Sequence, residues 1–416
     1  MSHKPTIIVV YGNGSLSPTR IREVAKTNEC NLLFVVPETP HAREMLPVLK
    51  LAGAVVEVNG RAETEIVAEL RIARSTGIVT FSESQIGFTA ALAAMLELPY
   101  HGLDDLEAIT HKDRQREKFT EAGLDRLRVR AVTKLDQLDD AISYVGLPAI
   151  IKPIVGASSR NTVAVSTFEE CRRAMTTILE DSSGVPRESA VLLEQLLIGK
   201  TTEHPWGDYI AVDCVASGDD VAPIFVTSKF ALAAPFRERG GYGGSSVVSE
   251  ADIKHVKDLA CRAVRALNIR QGIADVEIKL TESGPRVIEV NGRLGAWVDD
   301  LAVRSKTSDP ADIAIKSALG RNCVRPDLKS LGPIAYHYLI VPPIEAKSVR
   351  SISHVDELRR IDRVDVVSVL KQKGDSVDWR LGANANVAAV VGIVDSHEEL
   401  AAVVSEIERT SWITYD

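Results

Sequence analysis

In the first hundred residues, short apolar runs alternate with amphipathic stretches, and few folds accommodate that pattern. Residues 6–11 precede a helix opening at Pro18, and residues 32–36 precede 41–50. Residues 54–58 then precede 62–74, and residues 78–81 precede 85–96. Each apolar run has a strand's length and each amphipathic stretch a helix's, so a parallel sheet with helices on both faces is expected. Gly12-Asn13-Gly14 follows the first strand. The third glycine of a dinucleotide fingerprint is missing, and no acid follows at the matching distance. That loop and Ser82-Glu83-Ser84 are expected to border a ligand crevice, with a plain tight turn weighed equally against it.

At 416 residues the chain exceeds what one hydrophobic core usually serves, so two or three domains are expected. A net charge of −8 without a Lys/Arg block argues against nucleic acid as the partner. The five cysteines lack CxxC or Cys/His spacing, which indicates reduced thiols rather than a disulfide framework or a zinc site. No run approaches the ~20 apolar residues of a membrane helix. The apolar stretch at residues 6–11 lacks a signal peptide's longer core. A soluble, cytoplasmic protein without membrane partners is the expectation.

Past a break near residues 100–105, a charged helix opens at His111-Lys112-Asp113, and a second unit begins. Its strand at 147–153 ends in Lys152-Pro153, followed by the small-residue loop Gly156-Ala157-Ser158-Ser159-Arg160-Asn161. Exposed backbone N–H groups beside a lysine suit phosphates. The loop is not a Walker loop, because it leads to a strand and no GKS or GKT is present. Residues 190–199 end a strand in Glu194-Gln195, with Leu196 and Leu197 following, a pattern able to read a base edge and sandwich its ring. Long strands at 208–216 and 221–229 precede the glycine-rich stretch 237–246, expected to be a mobile lid. From Ile334 strands and helices resume as a small α+β lobe, with a last strand at 412–415 and no catalytic cluster of its own.

The most specific segment comes between these parts. Residues 274–278 read Ala-Asp-Val-Glu-Ile, and residues 286–293 read Arg-Val-Ile-Glu-Val-Asn-Gly-Arg. A turn at 281–285 folds them into a hairpin, which brings Glu277 beside Glu289, while Asn291 shares a face with Glu289. Two carboxylates and an amide oxygen suit Mg²⁺ shared with substrate phosphates. Arg293 directly after the acids fits a polyanion. For any one of these residues, an ordinary exposed side chain on a half-buried strand is the competing reading.

Lys112, Lys152, Glu194-Gln195, Glu277, Glu289, Asn291 and Arg293, in that order, resemble the ATP-grasp ligases over roughly residues 1–395. The branch most similar is that of carboxylate–amine and L-amino acid ligases. The resemblance implies an α/β protein in three parts. These are an N-terminal Rossmann-like parallel-sheet domain (1–103), a two-lobed α+β ATP-binding domain (104–325, lid 230–246) and a small C-terminal α+β lobe (326–416). It implies that Lys112 and Lys152, with Ser158 and Ser159 in their loop, hold phosphates, and that Glu194, Gln195, Leu196 and Leu197 hold adenine. Asp208, or else Glu203, would take the ribose. Lys229 would meet the γ-phosphate, and Arg293 the acyl-phosphate. Glu277, Glu289 and Asn291 would bind Mg²⁺, with Mn²⁺ as an alternative. The implied partners are a small carboxylate and an amine, in a homodimer as the family suggests. Gly292 stands where the family often has proline, which puts the substrate in doubt rather than the chemistry. A biotin-carboxylase-like or other carboxylating enzyme and a non-catalytic ATP-binding protein remain as alternatives.

Overall fold

The structure, a computed structural model, describes residues 4–181, 185–321, 323, 332–410 and 413–416. The boundary expected at 325/326 and Trp412 lie outside them. Strands β1 (Thr6–Val10), β2 (Asn31–Val36), β3 (Ala54–Glu57) and β4 (Ser75–Thr80) form a parallel sheet in the order β3-β2-β1-β4. The intervening helices start as their sequences dictate. Ser17 and Thr39 each accept a hydrogen bond from the backbone N–H three residues on, and Pro18 and Pro40 occupy the first helical turn. Both features satisfy or remove N–H groups that a helix leaves unpaired.

A second, antiparallel sheet combines β5 (Val129–Val132), β6 (Ala149–Pro153), β7 (Val163–Val165) and β8 (Val191–Gln195) in the order β5-β8-β6-β7. The third is built from β9 (Trp206–Ser217), β10 (Asp220–Phe230), β11 (Gly240–Gly243), β12 (Gln271–Thr281), β13 (Gly284–Asn291), β14 (Ile334–Ile340), β16 (Val364–Val369) and β17 (Ala388–Val394). Its order is β13-β12-β9-β10-β11-β14-β17-β16, so the carboxyl-terminal strands extend the central sheet. β15 (Val349–Ile352) and β18 (Ile413–Tyr415) make a separate ribbon.

Alternation along β9 and β12 divides their residues between two environments. Ile210, Val212 and Cys214 with Ala274, Val276 and Ile278 pack in one core with Val256, Ala260 and Val264 of helix Glu250–Ala266. Tyr209, Asp213, Asp275, Glu277 and Lys279 fall on the opposite face. The parallel sheet is joined to this unit by a shared core reaching from Val9 and Phe34 to Val298, Leu301 and Ile315. Arg20 adds a bond to Asp299 at 2.8 Å and one to Asp309 at 2.7 Å. Among the described residues no helix is long and apolar enough to cross a membrane.

Within the glycine-rich stretch expected to be a lid, four residues form a strand. Residues Gly240–Gly243 are β11, fully buried between β10 and β14. Glycine propensity hides a strand here, because the glycines answer to their neighbours rather than to a need for mobility. A Cβ on Gly243 would lie 2.2 Å from Phe225 Cζ, and one on Gly240, at φ +88°, 2.1 Å from the His337 carbonyl oxygen. Gly243→Val should therefore lower stability by about 1–3 kcal/mol in urea denaturation. An unchanged midpoint would mean that the sheet opens freely at this strand.

Candidate active site

An open cleft of about 1310 Å³ of non-atom space lies between the second and third sheets. Lys112 opens helix Lys112–Glu121, and its Nζ donates to the Gly156 carbonyl at 2.7 Å and sits 3.2 Å from Glu289 Oε2. Lys152 ends its strand at Pro153, which lacks the N–H to continue the ladder. Its Nζ donates to Glu194 Oε1 at 2.9 Å. Arg116 grips the same carboxylate from Nε at 2.8 Å and NH2 at 3.0 Å, and reaches the Val287 carbonyl at 2.8 Å. Burial opposes ionisation of Glu194, yet Arg116 and Lys152 hold it below the usual carboxylate range. Two cations share one carboxylate, and burial pulls Lys152 down.

Ser158 and Ser159, at φ +64° and +53°, put two non-glycine residues in the left-handed region. Such strain persists only where surroundings impose it. Here the Ser158 carbonyl accepts from the Ala383 N–H at 2.8 Å and the Arg380 carbonyl from the Asn161 N–H at 3.0 Å. Ala383 lines the cleft, so the carboxyl-terminal part contributes to the site although it has no catalytic cluster of its own.

On the third sheet the hairpin has the expected register. Glu277 stands opposite Glu289, and Asp275 opposite Asn291. Burial, then Glu289, pushes the Glu277 carboxyl up to about 8. Burial acts the same way on Glu289, but Lys112 and Lys152 prevail and hold it down. Arg293 lies 3.0 Å from Glu83 Oε2 and 3.4 Å from Asp275 Oδ2. Lys229 pairs with Glu238, and although burial opposes its charge, Glu238 and Glu277 keep it strongly protonated.

Of the residues expected from sequence, Lys112, Lys152, Ser158, Ser159, Glu194, Leu196 and Leu197 line the cleft. So do Lys229, Glu277, Glu289, Asn291 and Arg293. Gln195, Glu203 and Asp208 do not. The Gln195 N–H donates back to the Arg128 carbonyl at 3.0 Å. Glu203 is exposed in a turn whose carbonyl takes the Trp206 N–H at 2.9 Å. Asp208 sits against Gly199 and accepts from cleft-lining Lys279 at 2.7 Å. Gly12 and Gly14 pack directly on Ser82 and Phe81, which brings neighbouring Glu83 to Arg293.

Several cleft residues escaped the sequence reading: Glu238, Lys279, Tyr209 and Asp275. Asp275 and Lys279 carried a usable signal, since each stands two residues from Glu277 and shares its face. Glu83 fell in the loop expected to border a ligand crevice, whereas Asp213 needed tertiary information. Asp213 lies opposite Asp275 across β9 and β12, and burial followed by repulsion from Asp275 raises its carboxyl well above the ordinary range.

Residues 145–299 match the ATP-grasp domain family. Over 256 residues the chain is 25% identical to an alanine–anticapsin ligase of Bacillus subtilis, which covers 58% of this chain and 54% of that protein. Over 311 residues it is 25% identical to carnosine synthase 1 of Mus musculus, covering 70% of this chain and 36% of that one. The chain thus spans about half the length, or less, of these curated relatives. A crystal structure of an L-amino acid ligase from Bacillus licheniformis superposes with a TM-score of 0.76 at 19% identity, with 100% of both chains covered. A phosphoribosylglycinamide synthetase from Anaerococcus prevotii gives 0.64 at 15%, covering 99% of this chain and 100% of that one. At these identities the likeness is one of fold.

Proposed function

We propose that this ATP-grasp protein is an ATP-dependent carboxylate–amine ligase, acting on an amino acid or a related small carboxylate. The observation that carries this reading is one cleft lined by lysines, a small-residue loop and the acidic hairpin together. Lys112, Lys152, Ser158 and Ser159 line it from the side of the second sheet, and Lys229, Glu277, Glu289 and Asn291 stand on the third sheet with Arg293 just past it, Lys112 reaching Glu289 at 3.2 Å. ATP would lie with its base between Leu196 and Leu197 and its phosphates among the lysines. The two facing carboxylates and the amide oxygen fit one Mg²⁺ that takes its remaining ligands from phosphates and water. Bound there, the metal would neutralise phosphate charge.

In the proposed reaction a carboxylate oxygen attacks the γ-phosphorus and ADP leaves. The amine then adds to the acyl carbon, phosphate departs with the C–O bonding pair, and an amide results. Such chemistry needs positioning and charge neutralisation rather than a nucleophilic side chain. Arg293 would hold the developing negative oxygen. Asp208, tied to Lys279, is the better placed of the two ribose candidates.

A phosphate-release screen of amino acids, singly and in pairs, tests the reading. Turnover that requires two components supports ligation. Turnover with bicarbonate and no amine would favour a carboxylating enzyme, and ATP binding without ADP release across the panel would leave a nucleotide-binding protein.

The Glu277 shift gives a pH prediction. Metal binding must displace a proton held up to about pH 8, so Mg²⁺ affinity should rise about tenfold per pH unit below that point and level off above it. Stability of the metal-free protein responds in the opposite sense. A carboxyl with a raised folded-state pKa contributes stability that is fully present below its unfolded value, about 4.3, and is lost as pH rises through about 8. Calorimetric titration with Mg²⁺ at pH 6.5, 7.5 and 8.5 checks the first statement, and a flat profile contradicts it.

A further inference from the structure

Strand β13 carries Glu289 and Asn291, yet among the described residues it is the last strand of its sheet, bonded to β12 on one side only. Its pairing is also irregular. The register shifts between the pairs Glu277–Glu289 and Ile278–Val287, which leaves Ile288 as the extra residue of a bulge beside Glu289. An edge position and a bulge both leave a backbone open to displacement. Here the free edge is taken up by side chains of an earlier segment. Lys112, Gln115 and Arg116 share one face of helix Lys112–Glu121 and turn it towards β13.

Arg116 donates to the Val287 carbonyl at 2.8 Å and to the Ile288 carbonyl, so it spans the bulge. Gln115 takes the next step along the strand. Its Oε1 accepts the Val290 N–H at 3.0 Å, and its Nε2 donates to the Val290 carbonyl at 2.7 Å and the Ile109 carbonyl at 3.0 Å. A residue of a neighbouring antiparallel strand would pair with Val290 in the same two ways. His101 Nε2 continues the row with a bond to the Gly292 carbonyl at 2.8 Å. A Cβ on Gly292 would lie 2.6 Å from Ile109 Cγ2 and 3.1 Å from His101 Nε2, so the glycine answers to the segment packed on it.

Gln115 is 4% exposed, and Val290 1% with its side chain in the core, so water is no substitute for these bonds. Alternation sends the two flanking side chains, Glu289 and Asn291, to the cleft. The Val290 N–H belongs to the peptide unit that joins it to Glu289, and its carbonyl to the unit that joins it to Asn291. One side chain therefore holds both planar units, and a shift at Val290 would move both cleft residues together. Sites of this kind tolerate displacements of only about 0.5 Å.

We infer that Gln115 is a positioning residue for the divalent cation, fixing Glu289 and Asn291 through the two peptide units between them. This rests on the reading of those two residues as Mg²⁺ ligands. The test uses Gln115→Met, which keeps the side chain's length and loses its three hydrogen bonds. Calorimetry titrates Mg²⁺ into the full chain with a non-hydrolysable ATP analogue, and the analogue alone into the chain with EDTA. Mg²⁺ affinity should fall about tenfold or more, with metal-free binding of the analogue unchanged. A role in folding alone would lower the urea midpoint and leave the Mg²⁺ affinity of the folded chain as it was, and that result overturns the inference. So does a loss of Mg²⁺ and analogue affinity in equal proportion. Gln115→Glu keeps an acceptor for the Val290 N–H but has at most one proton for two carbonyls, so it should lose less. If the methionine variant does not fold, Gln115→Glu decides, and Mg²⁺ affinity unaltered in it overturns the inference. Glu289→Ala separates the two readings. Mg²⁺ affinity lost there but kept in the Gln115 variants sinks the positioning role alone, whereas affinity kept in Glu289→Ala sinks the metal site itself.

Discussion

Replacing Glu289 with alanine is expected to lower amine-dependent ADP release by on the order of 10³-fold, with the fold retained. Glu289 has two tasks in the proposed site. It stands opposite Glu277 in the hairpin register, and it is the carboxylate facing Lys112 at 3.2 Å. Removing it leaves the metal one carboxylate, and frees Lys112 to be held only by the Gly156 carbonyl. Because Lys112 and Lys152 keep Glu289 ionised while burial and Glu289 itself keep Glu277 protonated, Glu289 is the carboxylate that offers a metal its first charge. Glu277→Gln should thus weaken Mg²⁺ dependence less than Glu289→Gln does. Steady-state kinetics over a Mg²⁺ series measures both, and turnover unchanged in Glu289→Ala would remove the acidic hairpin from the chemistry altogether.

The largest expected effect on stability belongs to Glu194→Ala. Glu194 joins β8 to Arg116 and Lys152, and Arg116 continues to the Val287 carbonyl of β13, so one carboxylate links the two sheets that wall the cleft. All three charged groups are buried. Truncating the acid strands two cations away from water, which costs about 3–5 kcal/mol, a large part of a typical domain's stability of about 5–15 kcal/mol. Urea unfolding should show this as a lowered midpoint, with nucleotide affinity reduced as the sheets lose their link. A double-mutant cycle with Arg116→Met should return part of the loss, because removing one of the stranded cations removes part of its cost. A midpoint unmoved by Glu194→Ala would mean that water already reaches the cluster.

Much of this architecture was legible one segment at a time. The alternation that announced β1 to β4 needs only local hydrophobic periodicity, and Ser17-Pro18 and Thr39-Pro40 mark helix starts by chemistry confined to one turn. The 277–289 pairing was equally readable, since a hairpin fixes register by its turn and a two-residue period decides which side chains share a face. Lys279 and Asp275 could have been read by that rule as well. Glu238 fell in the stretch expected to be a lid, but nothing near Tyr209 says that it faces a cleft.

The glycine-rich stretch shows the limit most clearly. Its composition speaks for mobility, and its position in the sheet is imposed by the Phe225 ring and the His337 carbonyl, which reach it from other strands. Asp213 is a similar case. It is an unremarked acid in the sequence, and only the pairing of β9 with β12 turns it into half of a buried acidic pair.

By itself the sequence determined the strands and helices of the first domain, the facing acids of the hairpin and the order of lysines and acids that resembles the ATP-grasp ligases. The first two follow from periods of 2 and 3.6 residues and from turn chemistry, which act within a few residues, whereas the third is a resemblance carried by motifs spread from Lys112 to Arg293. Tertiary structure decided that Asp208 rather than Glu203 adjoins the cleft, that Glu194 is spent on two cations, and that Glu83, Asp213 and Asp275 meet around Arg293. Those outcomes depend on which distant strands become neighbours, and that is set by burial of whole faces rather than by any local pattern.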